Sequence, residues 1–251
     1  MPEPAAVTDD DHALAARLAT EAGELLVELR AKDDDMVPWL LGDQGDWEAH
    51  KWLVARLAEL RPDDAVLSEE GVNDPTRLAN RRVWIVDPLD GTREYSEIPR
   101  VDWAVHVALV VDGRPAAGAV ALPAQGVTLA TRPAPPPPPA HDGPPRLVVS
   151  RSRPPRAAQR IAQAIGGVMV PLGSAGAKAM AVVQGEAEVY AHAGGQYEWD
   201  SAAPVAVAQA AGLHTSRLDG SPLVYNQPDP WLPDLLICRP ELAPQILASL
   251  H

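Results

Sequence analysis

The chain contains no phenylalanine and a single cysteine, Cys238. One thiol excludes an internal disulfide, which suits a reducing compartment and leads to the expectation of a cytoplasmic protein. Without Phe, the interior must be filled by Leu, Val, Ala and the 7 Trp residues. No apolar run approaches the ~18 residues that a bilayer crossing needs, so no membrane contact is expected. Residues 1–11 are acidic and lack a basic segment leading into an apolar one, so they read as carrying no secretion signal. Positive charge is also scarce: 21 Lys and Arg face 34 Asp and Glu, a net charge of −13. That balance argues against binding a nucleic acid polymer through its phosphates. What is present is otherwise ordinary for a globular chain, with 46% hydrophobic and 22% charged residues. At 251 residues there is length for one large domain or two modest ones around a sizeable core.

Thr8 followed by Asp9, Asp10 and Asp11 predicts a helix start, with acids at the positive end of the dipole. Leu14, Leu18, Leu25, Leu26 and Leu29 fall on one helical face, and residues 32–35 read as a solvated stop. Asp46 is expected to open a second helix, with Ala49, Leu53, Leu57 and Leu60 on its buried side and 61–64 ending it. Strands are expected at 65–67, 83–86, 103–111, 116–122 and 126–131, with Asp112-Gly113 as a hairpin turn. The proline run within 133–139 cannot enter a helix or a sheet interior and reads as an exposed loop. Beyond it, strands at 147–149, 168–170, 189–191 and 235–237 alternate with helices at 156–165, 176–183, 201–211 and 241–250. The expected organisation is an N-terminal α+β part over 1–132, a proline-rich loop over 133–145 and an α/β part over 146–251. Together these parts would form one catalytic unit.

Between these parts, the stretch Trp84-Ile85-Val86-Asp87-Pro88-Leu89-Asp90-Gly91-Thr92 stands out. A buried strand closed by Asp-x-x-Asp can aim two carboxylates and a backbone carbonyl at one point. A helix starting just beyond it would offer free N–H groups to an anion. Glu69 and Glu70 end another strand, and Asp200 sits in Trp199-Asp200-Ser201-Ala202-Ala203. Taken singly, such residues are ordinary caps. Gathered together they would repel one another unless cations neutralise them, and an all-oxygen donor set points to Mg²⁺. Bound cations would also explain how so acidic a protein could hold a phosphate.

Glu69-Glu70, Asp87-Pro88-Leu89-Asp90-Gly91-Thr92 and Trp199-Asp200-x-Ala202-Ala203 resemble, in order and spacing, the inositol monophosphatase superfamily. Gly91-Thr92-Arg93-Glu94-Tyr95, Gly173-Ser174 with Lys178, and residues 149–153 resemble the CysQ-type 3′(2′),5′-bisphosphate nucleotidase branch. The resemblance implies a layered αβαβα sandwich of mixed α+β and α/β character. It implies an Mg²⁺-dependent, lithium-sensitive phosphatase using two or three ions. Its substrate would be adenosine 3′,5′-bisphosphate, hydrolysed to AMP and phosphate, which would link the chain to sulfur assimilation. Glu69, Asp87 and the Leu89 carbonyl would hold the metal that activates water, and Asp87, Asp90 and Asp200 a second metal at the leaving oxygen. Thr92, hydrogen-bonded to Asp46, would take the proton of the attacking water, and the Gly91 and Thr92 amides would bind phosphate. An inositol-1-phosphate or fructose-1,6-bisphosphate phosphatase is the alternative on the same scaffold, and a non-catalytic nucleotide- or metal-binding module is the remaining one. The assembly is left open between monomer and homodimer.

Three departures from the family pattern matter. Asp43-Gln44-Gly45-Asp46 stands where Thr-x-Ala-Asp is usual, and Ala193 stands where inositol phosphatases carry a substrate-binding Glu. His192 lies where eukaryotic nucleotidases use an arginine. Arg151, Arg153 and Lys178 are candidates for the second phosphate of a nucleotide, or else ordinary solvated cations. Ser174 can contact ligand or simply cap the following helix. His106 reads as a satisfied sheet histidine, and Met169, Met180 and Cys238 as packing. The tract 225–230 reads as a surface loop, with pocket lining as the alternative.

Overall fold

The computed structural model describes residues 7–32, 37–139 and 141–250, so the expectations for 1–6 and for the helix stop at 33–35 lie outside the described residues. Helix α1 (Asp9–Lys32) opens as its sequence dictates. The Thr8 hydroxyl accepts from the Asp11 N–H at 3.2 Å, and Asp11 Oδ2 accepts from the Thr8 N–H at 2.9 Å. Its buried stripe runs through Leu14, Leu18, Ala22 and Leu26, while Leu25 and Leu29 are only half-buried on the flank.

Helix α2 (Pro38–Leu60) starts two turns before the expected Asp46, with Pro38 in its first turn, where a missing N–H costs nothing. Asp46 is therefore a buried mid-helix residue and not a cap. Gly42 and Gly45 disguise this region as a loop, but each allows a close approach. A Cβ at Gly42 would stand 2.8 Å from Thr92 Cγ2, and one at Gly45 2.9 Å from the Tyr95 ring.

The first sheet comprises β1 (Ala65–Ser68), β2 (Arg82–Asp90), β3 (Ala104–Val111), β4 (Arg114–Leu122) and β5 (Val127–Ala130), in that spatial order. β1 and β2 are parallel and the other pairs antiparallel. Asp112 and Gly113 both have positive φ, as a tight two-residue hairpin turn requires. The short helix α3 (Thr92–Ser96) follows β2. Proline-rich residues 133–139 then cross without regular structure, tied down where Arg239 Nη1 donates to the Pro139 carbonyl at 2.6 Å.

The second half contains β6 (Arg146–Ser150), α4 (Arg156–Ile165), β7 (Val168–Leu172), α5 (Ala175–Val183) and β8 (Val189–Tyr197). It continues with α6 (Ala202–Ala210), β9 (His214–Ser216), β10 (Trp231–Cys238) and α7 (Ala243–Leu250). Its sheet has the order β7-β6-β8-β10-β9, with parallel pairs around β6 and antiparallel pairs around β10. Sequence reading missed β9, too short and polar to signal itself. Met169 is a correction: it sits exposed on the edge strand β7 and not in a core.

Five layers result: α1 and α2, the first sheet, α5 and α6, the second sheet, and α4 with α7. Strand alternation does the sorting. Val83 and Ile85 of β2 face the middle helices, while Trp84 and Val86 face α1 and α2. Helices α5 and α6 are apolar on nearly every side because a sheet covers each flank. Replacing fully buried Leu53 of α2 by Ala should cost about 3 kcal/mol. A thermal melt should show a Tm drop of roughly 6–12 °C.

Candidate active site

On a regular strand, residues three apart point to opposite faces. In β2, Asp87 pairs with His106 and Asp90 with Ala104, so Pro88 and Leu89 together oppose one residue of β3. That bulge restores the parity and turns both carboxylates toward the middle layer. Asp200, in the 3-10 turn Glu198–Asp200 just before α6, reaches the same place. Oxygen atoms of Asp87, Asp90 and Asp200 lie within 4.8 Å of one another. Glu69 stands on the turn after β1, close enough for Asp46, Asp200 and Asp90 to act on its charge.

Asp90 is the best supported of these carboxylates. It accepts from Ser174 Oγ at 2.5 Å, from the Ala175 N–H at 3.0 Å and from the Gly176 N–H at the start of α5. His106 Nε2 lies 3.2 Å from Asp90 Oδ2, and its Nδ1 donates to the Trp199 carbonyl at 3.0 Å. Burial alone would raise the pKa of Asp90, but His106, Ser174 and Lys178 outweigh it and hold the group well below the usual carboxylate range. His106 is the mirror case: burial lowers its pKa, yet Asp90 and the Trp199 carbonyl hold it above the ordinary histidine value. His106 is thus a sheet histidine as expected but only half satisfied: Nδ1 is hydrogen-bonded, while Nε2 lies beside Asp90 without a hydrogen bond of good geometry.

The other acids move the opposite way. Burial first, then neighbouring charge, pushes Asp46 up to about 7, Glu69 up to about 8 and Asp200 up to about 6. Asp87, fully enclosed and facing Glu69, Asp90 and Asp200, is also raised. Asp87 Oδ2 and Asp46 Oδ1 are buried with no hydrogen-bond partner among the described residues. Unpartnered carboxylate oxygens in an all-oxygen cluster suit a hard divalent cation, so the donor set fits Mg²⁺.

Thr92 opens α3 beside the cluster. Its hydroxyl donates to Asp46 Oδ2 at 2.8 Å and lies 3.2 Å from the Leu89 carbonyl. Gly91 caps that helix at φ 89°, in the left-handed region, where a Cβ would also press on Ser174 at 3.0 Å. The Thr92–Asp46 bond stands as the resemblance implies, although Asp46 comes from mid-helix.

The expected substrate contacts are more scattered. Lys178 and Ser174 are both buried, with their polar atoms engaged inside the protein. Arg151 is half-buried and paired, with Glu94 Oε1 at 2.6 Å and Glu97 Oε2 at 2.8 Å, so it is not an unpaired surface cation. Arg153 is exposed, and its guanidinium has no ion pair among the described residues. His192 Nε2 donates to the Gly195 carbonyl at 2.8 Å. Tyr225 is no surface residue, being fully buried with its hydroxyl 3.2 Å from Ser201 Oγ. The Asn226 and Gln227 N–H groups donate to Glu198 at 2.7 and 2.8 Å, which straps that loop to the turn carrying Asp200. Asp102, which accepts from the Gly173 N–H at 2.6 Å, has no sequence signal beyond preceding an apolar strand.

The description "Inositol monophosphatase family" matches residues 11–133 and 145–251, leaving out most of the proline-rich crossing. A protein of Mycobacterium leprae named 3′-phosphoadenosine 5′-phosphate phosphatase is 53% identical over 253 residues, covering 96% of this chain and 93% of its own. The crystal structure of CysQ from Bacteroides thetaiotaomicron aligns with a TM-score of 0.75 at 27% identity, over 90% of this chain and 96% of that one. Inositol monophosphatase-II of Staphylococcus aureus aligns at 0.80 with 23% identity, over 96% and 95% respectively, which speaks for the fold alone.

A carboxyl whose pKa is raised by folding binds its proton more tightly in the folded state. Its stabilising contribution is therefore lost as pH rises through the folded value. For Asp46, Asp200 and Glu69 the loss begins near the ordinary carboxylate value of about 4 and is complete only above folded values of about 7, about 6 and about 8. In EDTA, Tm should fall by several degrees between pH 6 and 8.5, and millimolar Mg²⁺ should recover more at the alkaline end. A flat profile in differential scanning calorimetry would contradict this.

Proposed function

The chain belongs to the inositol monophosphatase family, and on that premise we propose that it removes the 3′-phosphate of adenosine 3′,5′-bisphosphate to give AMP and phosphate. It is a phosphoric monoester hydrolase, and the mycobacterial relative's name supports the nucleotide substrate. The observation that carries the reading is the meeting of Asp87, Asp90 and Asp200 within 4.8 Å, beside a Thr92–Asp46 hydrogen bond of 2.8 Å.

We assign Glu69, Asp87 and the Leu89 carbonyl to one cation position and Asp87, Asp90 and Asp200 to another. Mg²⁺ bound there supplies positive charge to the attacking water and to the phosphoryl oxygens. Thr92 Oγ1 donates its own proton to Asp46 Oδ2, which leaves its lone pairs free to accept a proton from water. Asp46, pushed up to about 7, is poised to take the Thr92 proton in turn. The Gly91 and Thr92 amides at the start of α3 would hold the phosphoryl group. Among the basic candidates, Arg153 is the unpaired cation suited to the second phosphate, and His192 Nδ1 is the ring nitrogen that would accept from a ligand, because Nε2 is engaged.

Ala193 offers no carboxylate to an inositol ring, so this chain should rank the nucleotide first. Removal of a nucleotide bisphosphate left by sulfuryl transfer places it beside sulfate assimilation, in a cytoplasmic setting. No helix of the described residues is long and apolar enough to cross a membrane.

Side-by-side kcat/KM values for adenosine 3′,5′-bisphosphate, inositol-1-phosphate and fructose-1,6-bisphosphate test the assignment. A clear win for inositol phosphate would overturn the substrate. Thr92→Val should lower kcat by roughly 10²–10⁴-fold, and Asp90→Asn should abolish Mg²⁺-dependent turnover. LiCl should inhibit by competing at the oxygen-ligated site. Full activity at tens of millimolar LiCl would count against that arrangement.

A further inference from the structure

Two buried charges stand behind the acidic cluster and take no part in the chemistry above. Glu198 is 1% exposed and Arg77 is 2% exposed. Charges so enclosed must find partners. Among the described residues neither forms an ion pair, and both instead grip the same dipeptide, Asn226-Gln227. Glu198 accepts from the Asn226 N–H at 2.7 Å on one oxygen and from the Gln227 N–H at 2.8 Å on the other. Arg77 donates through Nη2 to the Gln227 carbonyl at 2.7 Å, through Nη1 to the Asn226 side-chain oxygen, and through Nε to Asn73 Oδ1 at 3.0 Å. Asn226 Nδ2 returns a bond to the Arg77 carbonyl at 3.3 Å, and its backbone is held at φ 58°, in the left-handed region.

The two ends of this relay lie on the segments that carry the assigned cation ligands. Arg77 sits in the 3-10 turn Pro75–Ala79, shortly after the turn of Glu69. Glu198 begins the 3-10 turn that ends in Asp200. The backbone of that turn is pinned too: the Glu198 N–H donates to the Pro230 carbonyl at 2.8 Å, and the Tyr197 N–H to Asp200 Oδ2 at 2.6 Å. With its side chain and its N–H both fixed to loop 226–230, Glu198 leaves the turn little freedom to rotate Asp200 out of the cluster. Apolar residues would hold such a loop as firmly as buried charges do. What charge-assisted hydrogen bonds add is direction.

We propose that Glu198 is a positioning residue: held by the Asn226-Gln227 backbone, and through it by Arg77, it fixes the turn that aims the Asp200 carboxylate at the cation shared with Asp87 and Asp90. This rests on the metal reading given above. Loss of a group that orients a metal ligand commonly weakens metal binding roughly 10–100-fold.

The test uses the full chain and the Glu198→Gln variant, with Mn²⁺ binding measured by calorimetry without substrate. The substitution keeps the shape and replaces one acceptor oxygen by an amide nitrogen that cannot accept. Mn²⁺ affinity should fall by about 10-fold or more. In steady-state kinetics on adenosine 3′,5′-bisphosphate, kcat should fall at subsaturating Mg²⁺ and recover at saturating Mg²⁺, with KM for the bisphosphate unchanged. A merely structural lesion would not be repaired by the ion in this way. A folded variant with Mn²⁺ affinity within about twofold of wild type would overturn the proposal, as would a kcat deficit that saturating Mg²⁺ leaves in place. Should Glu198→Gln fail to fold, Asn226→Gly removes the side chain that Arg77 holds, at a φ that glycine adopts readily, and keeps the N–H that faces Glu198. It should weaken Mn²⁺ binding by a smaller factor, and unchanged affinity there would equally overturn the relay. A wild-type chain that binds no Mn²⁺ would overturn the metal reading and this inference with it, whereas an unchanged variant beside a binding wild type overturns the inference alone. A wild type that binds Mn²⁺ yet spares the bisphosphate would refute the proposed substrate, and the binding measurement then decides the role of Glu198 by itself.

Discussion

Mutual repulsion among carboxylates governs this molecule. At an effective dielectric near 20, two like charges inside 4.8 Å repel by on the order of 3 kcal/mol. Three such pairs among Asp87, Asp90 and Asp200 approach the whole stability of a typical domain. Repulsion on that scale must be met by protons, by oriented dipoles or by bound cations. The raised pKa values of Asp46, Glu69, Asp87 and Asp200 are the first response. The donors on Asp90 and the neighbouring His106 are the second. The cations proposed above are the third, and they exchange with the protons.

The five-layer arrangement makes that concentration of charge possible. The middle helices α5 and α6 both direct their N-terminal ends at the cluster, α5 through the groups on Asp90 and α6 through the turn holding Asp200. Close approach is the geometric requirement. A Cβ at Gly176 would sit 2.1 Å from His106 Nε2, and one at Gly42 would collide with Thr92. The glycines Gly176 of α5 and Gly42 of α2 are therefore what allow His106 and Thr92 to reach their partners.

Much of this could be read from the chain, and the parts that could not share a cause. The apolar run over 83–86, the Asp112-Gly113 hairpin and the helix over Arg156–Ile165 are local signals, and each appears where expected. The start of α2 was hidden because Gly42 and Gly45 look like breakers until α3 is seen packed against them. His106 and Asp102 act through partners 93 and 71 residues away in sequence, Trp199 and Gly173, and no window of local pattern holds both ends. Lys178 was legible as unusual, but its direction was not. Its Nζ meets the Gly173 and Ser174 carbonyls at the start of its own helix.

Selectivity and chemistry are accordingly built from different material. Asp87, Asp90, His106 and the bend before α5 are buried inside the sandwich, where substitution disturbs packing and site together. Arg153 and the Gly194-Gly195 segment beside His192 and Ala193 lie on exposed or half-exposed backbone, where residues change at little structural cost. Arg151 is paired to Glu94 and Glu97, so of the candidate cations Arg153 alone stands exposed without an ion pair among the described residues. In a chain with a net charge of −13, attraction for a doubly phosphorylated ligand must then come chiefly from the metal centre. The rim is left to choose by shape which esters reach it.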